Sequence, residues 1–192
     1  MPALRQSSPV TIELLDKKRH DRAAFDCGVS ALNTYLQRQA AQDVEKHAAV
    51  VYVAVIEPPF IAGYYTLSQF SIDFVRLPED LAKRLARYPA VPATLLGRLA
   101  VASEWQGQKL GETLLFDALR RSLAQSAHIA SAGVVVDAKD EMAISFYRRY
   151  GFSPILGAES RLILHMMAIQ QMFEPLAKFS QPSDLCGGDS QL

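Results

Sequence analysis

The stretch "WQGQKLGETLL", positions 105–115, constrains this chain more than any other. Two glycines, two glutamines and a lysine stand directly ahead of an amphipathic apolar run, where a helix is about to begin. A helix N-terminus leaves up to four backbone N–H groups without partners, and its dipole favours negative charge. Small residues let an anion approach those amides closely. Gln106-Gly107-Gln108-Lys109-Leu110-Gly111 therefore reads as an anion cradle, with Lys109 adding a point charge. An ordinary strand–helix turn fits the same pattern. Neither the phosphate loop G-x-x-x-x-G-K-[ST] nor the dinucleotide fingerprint GxGxxG is present.

The surrounding periodicity places the loop between regular elements. Segment 93–102, "ATLLGRLAVA", reads as a strand whose interior Gly97 marks a bulge or a close backbone approach. In 111–124, Leu114, Leu115, Ala118, Leu119 and Leu123 form one apolar helical stripe, with Arg120 and Arg121 opposite. Upstream, 29–47 has helical spacing with Ser30 or Asp26 as cap, 49–57 and 60–74 read as paired strands, and 78–88 as a short helix. Downstream come an apolar strand (132–138), a helix (140–152) closed by Gly151, and a last strand (161–167). This order predicts a mixed α/β sheet with helices on both faces and a ligand near strand C-termini and helix N-termini.

The 192 residues suffice for one well-filled core but not two ordinary domains. The expected boundaries are 1–168 for the domain and 169–192 for an extension, a short helix and then a tail of frayed composition. No apolar run approaches the roughly 18–20 residues of a membrane span, and the N-terminus has no leader-like apolar stretch, so a cytoplasmic location is expected. Cys27 and Cys186 read as unpaired thiols, and the four histidines show no metal-ligand spacing. Twenty basic residues balance twenty acidic ones, so attraction to an anionic partner has to come from local patches.

Three stretches, in order, resemble the GNAT acetyltransferases. The loop is similar to their pyrophosphate motif (R/Q)-x-x-G-x-(G/A), with Gln106 and Gly111 at its ends and Lys109 where glycine is usual. Lys109 then either holds the backbone at negative φ or reaches the phosphates itself. "DEMAISFYRRYGF" (140–152) resembles the second motif helix, AxxFYxxxGF, and "LGRLAV" (96–101) the splayed strand that holds the pantetheine arm. The resemblance implies the GNAT acyl-CoA N-acyltransferase fold, a mixed, mostly antiparallel twisted sheet with helices on both faces. It implies acetyl-CoA as cofactor, bound by Leu99, Ala100, Val101, Gln106, Gly107, Gln108, Lys109, Leu110, Gly111, Glu112 and Tyr147. Glu112 suits the helix dipole but repels phosphate, so its carboxylate is expected to point away from the cradle.

"FDCGVSALNTYL" (25–36), "IAGYYTLS" (61–68) and "YPAVPATLLGRLAV" (88–101) further resemble the GNAT toxins of bacterial toxin–antitoxin modules, the TacT/AtaT group. That resemblance spans residues 9–168. It implies acetylation of the α-amine of aminoacyl-tRNA, arrest of translation, a ribbon-helix-helix antitoxin as partner, and a homodimer. An α-amine titrates near 7.7–8.0 against about 10.4 for lysine, so it attacks as the neutral amine near pH 7 without a strong base. Tyr147 is the candidate general acid for the departing coenzyme A thiolate, and backbone N–H groups around Leu99 to Val101 would polarise the carbonyl. Arg38, Lys46, Arg87, Arg98, Arg148 and Arg149 are candidate tRNA contacts; Arg98 could equally be structural. Two alternatives stand beside this: a GNAT acetylating a protein N-terminus or small amine, and a non-catalytic GNAT-fold binding module.

Overall fold

The computed structural model describes residues 10–83 and 89–177. Seven strands form one sheet in the order β1-β2-β3-β4-β5-β7-β6. They are β1 (Thr11–Leu14), β2 (Val50–Val55), β3 (Ile61–Asp73), β4 (Ala90–Val101), β5 (Gly133–Asp137), β6 (Ser153–Ile155) and β7 (Ala158–His165). Every neighbouring pair is antiparallel except β4–β5, which is parallel. The helices are α1 (Ser30–Thr34), α2 (Ala40–Glu45), α3 (Glu79–Ala82), α4 (Leu110–Ser126), α5 (Glu141–Arg149) and α6 (Met166–Ala177). None of the described helices is long and apolar enough to cross a membrane.

Alternation along the strands divides the core by face. Val134, Val136, Leu162 and Leu164 pack with Leu110, Leu114, Leu115 and Leu119 of α4, Ile144 and Tyr147 of α5, and Ile169 of α6. Val135 and Ile163 turn the other way, onto Leu77 and Leu81 beside α3. On that second face, Tyr64, Val51, Val53 and Ala100 pack under Tyr35, Leu36 and Ala40. Helices thus cover both faces, and the central Gly133–Val136 run is fully buried.

The bulge expected at Gly97 is present. Thr66 pairs with Arg98 and Leu67 with Leu96, leaving Gly97 unpaired. The one extra residue in β4 relative to β3 sends Leu99 and Val101 to the α4 face and Arg98 and Ala100 to the other. The parallel pairing of β4 with β5 covers only Thr94–Leu96 against Val134–Val136. Beyond Leu96 the two strands diverge: β4 runs on to Val101 against β3 alone, while β5 stays with β7.

Other elements depart from expectation. β1 and β6 were not anticipated; four and three residues carry too little alternation to stand out. Helix 29–47 is two α-helical pieces joined by a π-helical turn, Tyr35–Gln39. Arg22 Nη1 donates to the Leu36 and Gln37 carbonyls at 3.4 and 3.2 Å, which stabilises the wider turn. Neither Ser30 nor Asp26 caps α1 with its side chain; Val29 is at the cap, and Asp26 Oδ1 accepts instead from Gly28 N and Asn33 Nδ2. Of the helix expected over 78–88, Glu79–Ala82 is formed, and residues 84–88 lie outside the described residues. The final strand ends at His165, where α6 begins directly, so the expected boundary at 168 falls inside a helix whose Ile169 is fully buried. Residues 178–192, with Cys186, lie outside the described residues. Cys27 is a buried free thiol whose Sγ lies 3.1 Å from Asn33 Oδ1.

Candidate active site

The loop between β4 and α4 is held by its own side chains. A short 3-10 turn, Ser103–Trp105, follows β4. Gln106 Nε2 donates to Val101 O at 2.9 Å and to Cys27 O at 3.1 Å, and Gln106 N donates to Ser103 O. Gln108 Nε2 donates to Glu104 O at 3.1 Å. The donors of Gln106 are therefore spent on protein carbonyls, so this residue shapes the cradle rather than touching an anion through its amide.

The amides that remain converge. Gly107 has φ +75°, with open space around a would-be Cβ, and Lys109 has φ +62°. The left-handed conformation of Lys109 overturns the negative φ expected there: the lysine adopts the backbone usually left to glycine, at some strain. Lys109 is the N-cap residue of α4 and makes no side-chain cap bond. The first intrahelical bond is Thr113 N to Lys109 O at 3.1 Å, so the N–H groups of Leu110, Gly111 and Glu112 precede the ladder. A helix start with left-handed residues before it and no capping side chain offers its amides to an outside acceptor. Glu112 does not close that opening: it leans toward the end of α5, where its charge and that of Arg149 act on Tyr150.

Close packing sets where the cradle lies. A Cβ on Gly63 would sit 2.8 Å from Leu114 Cδ1 and 2.9 Å from Ala100 O, so glycine alone lets α4 lie this near β3 and β4. A Cβ on Gly111 would meet only Val101 Cγ2, at 3.7 Å, an ordinary contact. The helix start thus borders the end of β4 whose edge toward β5 is left unpaired after Leu96. Leu99 and Val101 are half-buried there, and Ala100 is buried.

Tyr147 lies on α5, the helix following the other arm of the splay. Asp140 Oδ1 caps that helix by accepting from Ala143 N at 2.8 Å, and Gly151 ends it at φ +88°. The Tyr147 ring packs against Phe146 and Phe152 with centroids 5.2 and 5.3 Å away. Among the described residues its hydroxyl has no hydrogen-bond partner. Burial pushes its phenol well above the ordinary tyrosine value, which keeps the proton on.

The basic candidates lie on several elements. Arg38 and Lys46 are exposed on the α1–α2 helical stretch, and Arg148 and Arg149 are exposed at the end of α5. Arg98 is half-buried, its Cζ 3.6 Å from the centroid of the Tyr35 ring. Arg87 lies outside the described residues.

One buried polar cluster escaped sequence reasoning. Asp117 on α4 accepts from Tyr65 Oη at 2.6 Å, Arg121 Nε at 2.8 Å and Arg120 Nη2 at 3.1 Å. Arg121 also lies over the Tyr52 ring at 4.2 Å. The i, i+3 and i, i+4 spacing of Asp117, Arg120 and Arg121 was legible. Their partner Tyr65 is 52 residues away and was not.

A carrier with a pyrophosphate and an extended amide-bearing arm needs both an amide cradle and an unpaired strand edge, and here the two adjoin. That pairing defines the class, acyltransferases drawing on a coenzyme A thioester, and the chain's residues fit the group. Residues 47–154 match the family described as the acetyltransferase (GNAT) domain, and the chain belongs to it. It is 27% identical over 169 residues to the probable toxin TacT of Sinorhizobium fredii, covering 84% of this chain and 93% of that one. It is similar to AtaT complexed with acetyl-methionyl-tRNAfMet at 30% identity and a TM-score of 0.80, covering 86% of this chain and 99% of the other. It is also similar to a tyrosine-to-phenylalanine variant of AtaT bound to the C-terminus of the antitoxin AtaR and acetyl-CoA. There the identity is 28% and the TM-score 0.74, with 86% and 99% covered.

Proposed function

We propose that this chain is a toxin that transfers the acetyl group of acetyl-CoA to the α-amine of aminoacyl-tRNA and so blocks translation. The observation that carries the acyl-CoA part is the splay of β4 from β5 after the Leu96–Val136 pair, beside the uncapped start of α4. The similarity to AtaT with an acetylated charged tRNA supports the acceptor.

Bound acetyl-CoA supplies the acetyl thioester. The amides of 107–112 hold its pyrophosphate with the help of the α4 dipole and Lys109. The free edge of Leu99–Val101 orients the pantetheine arm and directs backbone N–H at the acetyl carbonyl. The neutral α-amine forms the new N–C bond as the C–S bond breaks. Tyr147 Oη would give its proton to the departing sulfur, and the proton shed by the newly acylated nitrogen would return the phenol to its neutral form. Arg38, Lys46, Arg98, Arg148, Arg149 and Arg87 are the cations available to the RNA. The partner is an antitoxin, as AtaR is for AtaT, of the ribbon-helix-helix class, and the chain works as a homodimer in the cytoplasm.

Transfer of labelled acetyl from acetyl-CoA to bulk aminoacylated tRNA, with deacylated tRNA as control, tests the reading. Label confined to the amino acid of the charged pool is the expected outcome. Cofactor binding with no label in RNA would shift the acceptor to a protein N-terminus or small amine, and no cofactor binding would reduce the fold to a binding module.

A further inference from the structure

Arg98 differs from the other described arginines in how its charge is placed. Arg161 is paired with Asp137, Arg120 and Arg121 with Asp117, Arg76 with Asp73 and Arg19 with Glu13, and Arg22 donates to carbonyls. Arg38, Arg148 and Arg149 are exposed to water. Arg98 is half-buried, yet among the described residues it has no carboxylate within ion-pairing distance and no hydrogen bond to its guanidinium. Five N–H donors are left unspent on a partly desolvated cation.

The cation is also held still. Tyr35, on which it lies, is buried in the π-helical turn, and its hydroxyl donates to Asp43 Oδ2 at 3.0 Å. The Tyr35 ring stacks on Tyr64 with centroids 6.1 Å apart, and Tyr64 Oη donates to Leu32 O at 2.9 Å. This platform fixes a guanidinium plane more firmly than solvent would. The bulge at Gly97 then sets its direction. Arg98 faces the side of the sheet opposite α4, whereas the next residue, Leu99, faces α4. Arg98 therefore stands one residue from the start of the Leu99–Val101 edge, with its guanidinium on the Tyr35 side of the sheet. On the reading proposed above, the pyrophosphate sits at the start of α4, which leaves the opposite face, where Arg98 lies, for the acceptor.

We infer that Arg98, presented by Tyr35, binds the phosphate nearest the reacting amine, the one 5′ to the terminal nucleotide of the acceptor strand. The inference rests on the aminoacyl-tRNA reading above. In an aminoacyl ester the α-amine is separated from that phosphate by one ribose and one ester. A protein N-terminus or a small amine carries no phosphate there, so Arg98 selects the charged RNA end over other amines. Tyr35 is a positioning residue.

The test is a cycle between protein and substrate, using the full chain and an aminoacylated acceptor minihelix with either a native or a methylphosphonate linkage 5′ to its last nucleotide. Neutralising that phosphate is expected to lower kcat/KM of the wild-type protein about 10- to 100-fold, mainly through KM. Arg98→Gln on the native linkage should lose as much, with a log–log salt slope shallower by about 0.7. Combining the two should cost no more than either alone. Losses that multiply overturn the assignment, and so does a methylphosphonate linkage that the wild type accepts as well as the native one, an outcome that needs no variant to fold. Arg98→Lys should recover part of the binding. If the wild-type protein labels no charged RNA at all, the acceptor reading falls and this inference falls with it. Labelling with multiplicative losses removes Arg98 alone.

Discussion

Gln106 and Cys27, 79 residues apart in the chain, are joined by a hydrogen bond of 3.1 Å from the Gln106 side-chain amide to the Cys27 carbonyl. The other bond of that amide, to Val101 O at 2.9 Å, ties the same point to the end of β4. Ser103 N adds a third link, to Asp26 O at 2.9 Å. The segment ahead of α1 and the start of α4 are thus tied together, and a glutamine of the loop joins them.

Gln106→Ala removes both bonds and frees the loop. Each is worth about 1 kcal/mol, so affinity for acetyl-CoA should fall about 5- to 30-fold. Titration calorimetry with the cofactor measures this. An unchanged Kd would mean that the loop keeps its shape without the tie.

Gly111 separates stability from binding. A Cβ there meets nothing closer than Val101 Cγ2 at 3.7 Å, and the residue lies within a helix. Gly111→Ala should therefore raise stability by about 0.5–1 kcal/mol, seen as a higher denaturation midpoint. Gly111→Asp should fold yet bind acetyl-CoA at least about tenfold more weakly, because its charge opposes the pyrophosphate. Normal cofactor affinity in Gly111→Asp would place the pyrophosphate elsewhere.

Tyr147→Phe should keep acetyl-CoA affinity and slow turnover about 10²- to 10⁴-fold. Burial raises the Tyr147 phenol above its ordinary value of about 10, so the proton is retained through that pH and the alkaline limb of turnover should begin above it. On the acid side turnover should rise as the α-amine deprotonates. An alkaline limb below about pH 9 in the wild type, or unaltered turnover in the phenylalanine variant, would exclude Tyr147 as the acid.

Asp117 should make stability depend on pH at the acid end. Burial pushes its carboxyl up, but the bonds from Arg121, Tyr65 and Arg120 together outweigh that and hold it below the usual carboxylate range. A group with a depressed folded pKa stabilises above its unfolded value, near 3.9, and the contribution is lost as pH falls through the folded value. Asp117→Asn should cost about 2–3 kcal/mol near neutrality and progressively less in acid. Urea unfolding at several pH values checks it; an equal loss at every pH would mean the charge is not what matters.

Much of this molecule was legible in the sequence because the relevant signals are local. The α4 stripe, the Gly151 stop and the Gly97 bulge each arise from residues within a few positions of one another, where spacing and backbone preference act directly. The GNAT motifs are local in the same way, so cofactor class and the place of Tyr147 could be stated from them. The left-handed backbone at Lys109 was not legible, because a lysine by itself favours negative φ. β1 and β6 were too short to show a period and exist because a neighbouring strand offers its edge.

What the sequence by itself determined is the order of the longer elements, the apolar faces they bury and the family of the loop motif. What only the tertiary structure decided is which distant side chains meet. Tyr65 reaches Asp117, Arg98 lies on Tyr35, and Gly63 lets α4 approach the sheet to within a methyl group of clashing. Propensity and periodicity act over a few residues of chain. These contacts depend on the twist, register and bulge of a sheet that brings positions tens of residues apart within a few ångströms, and there close packing selects the geometry.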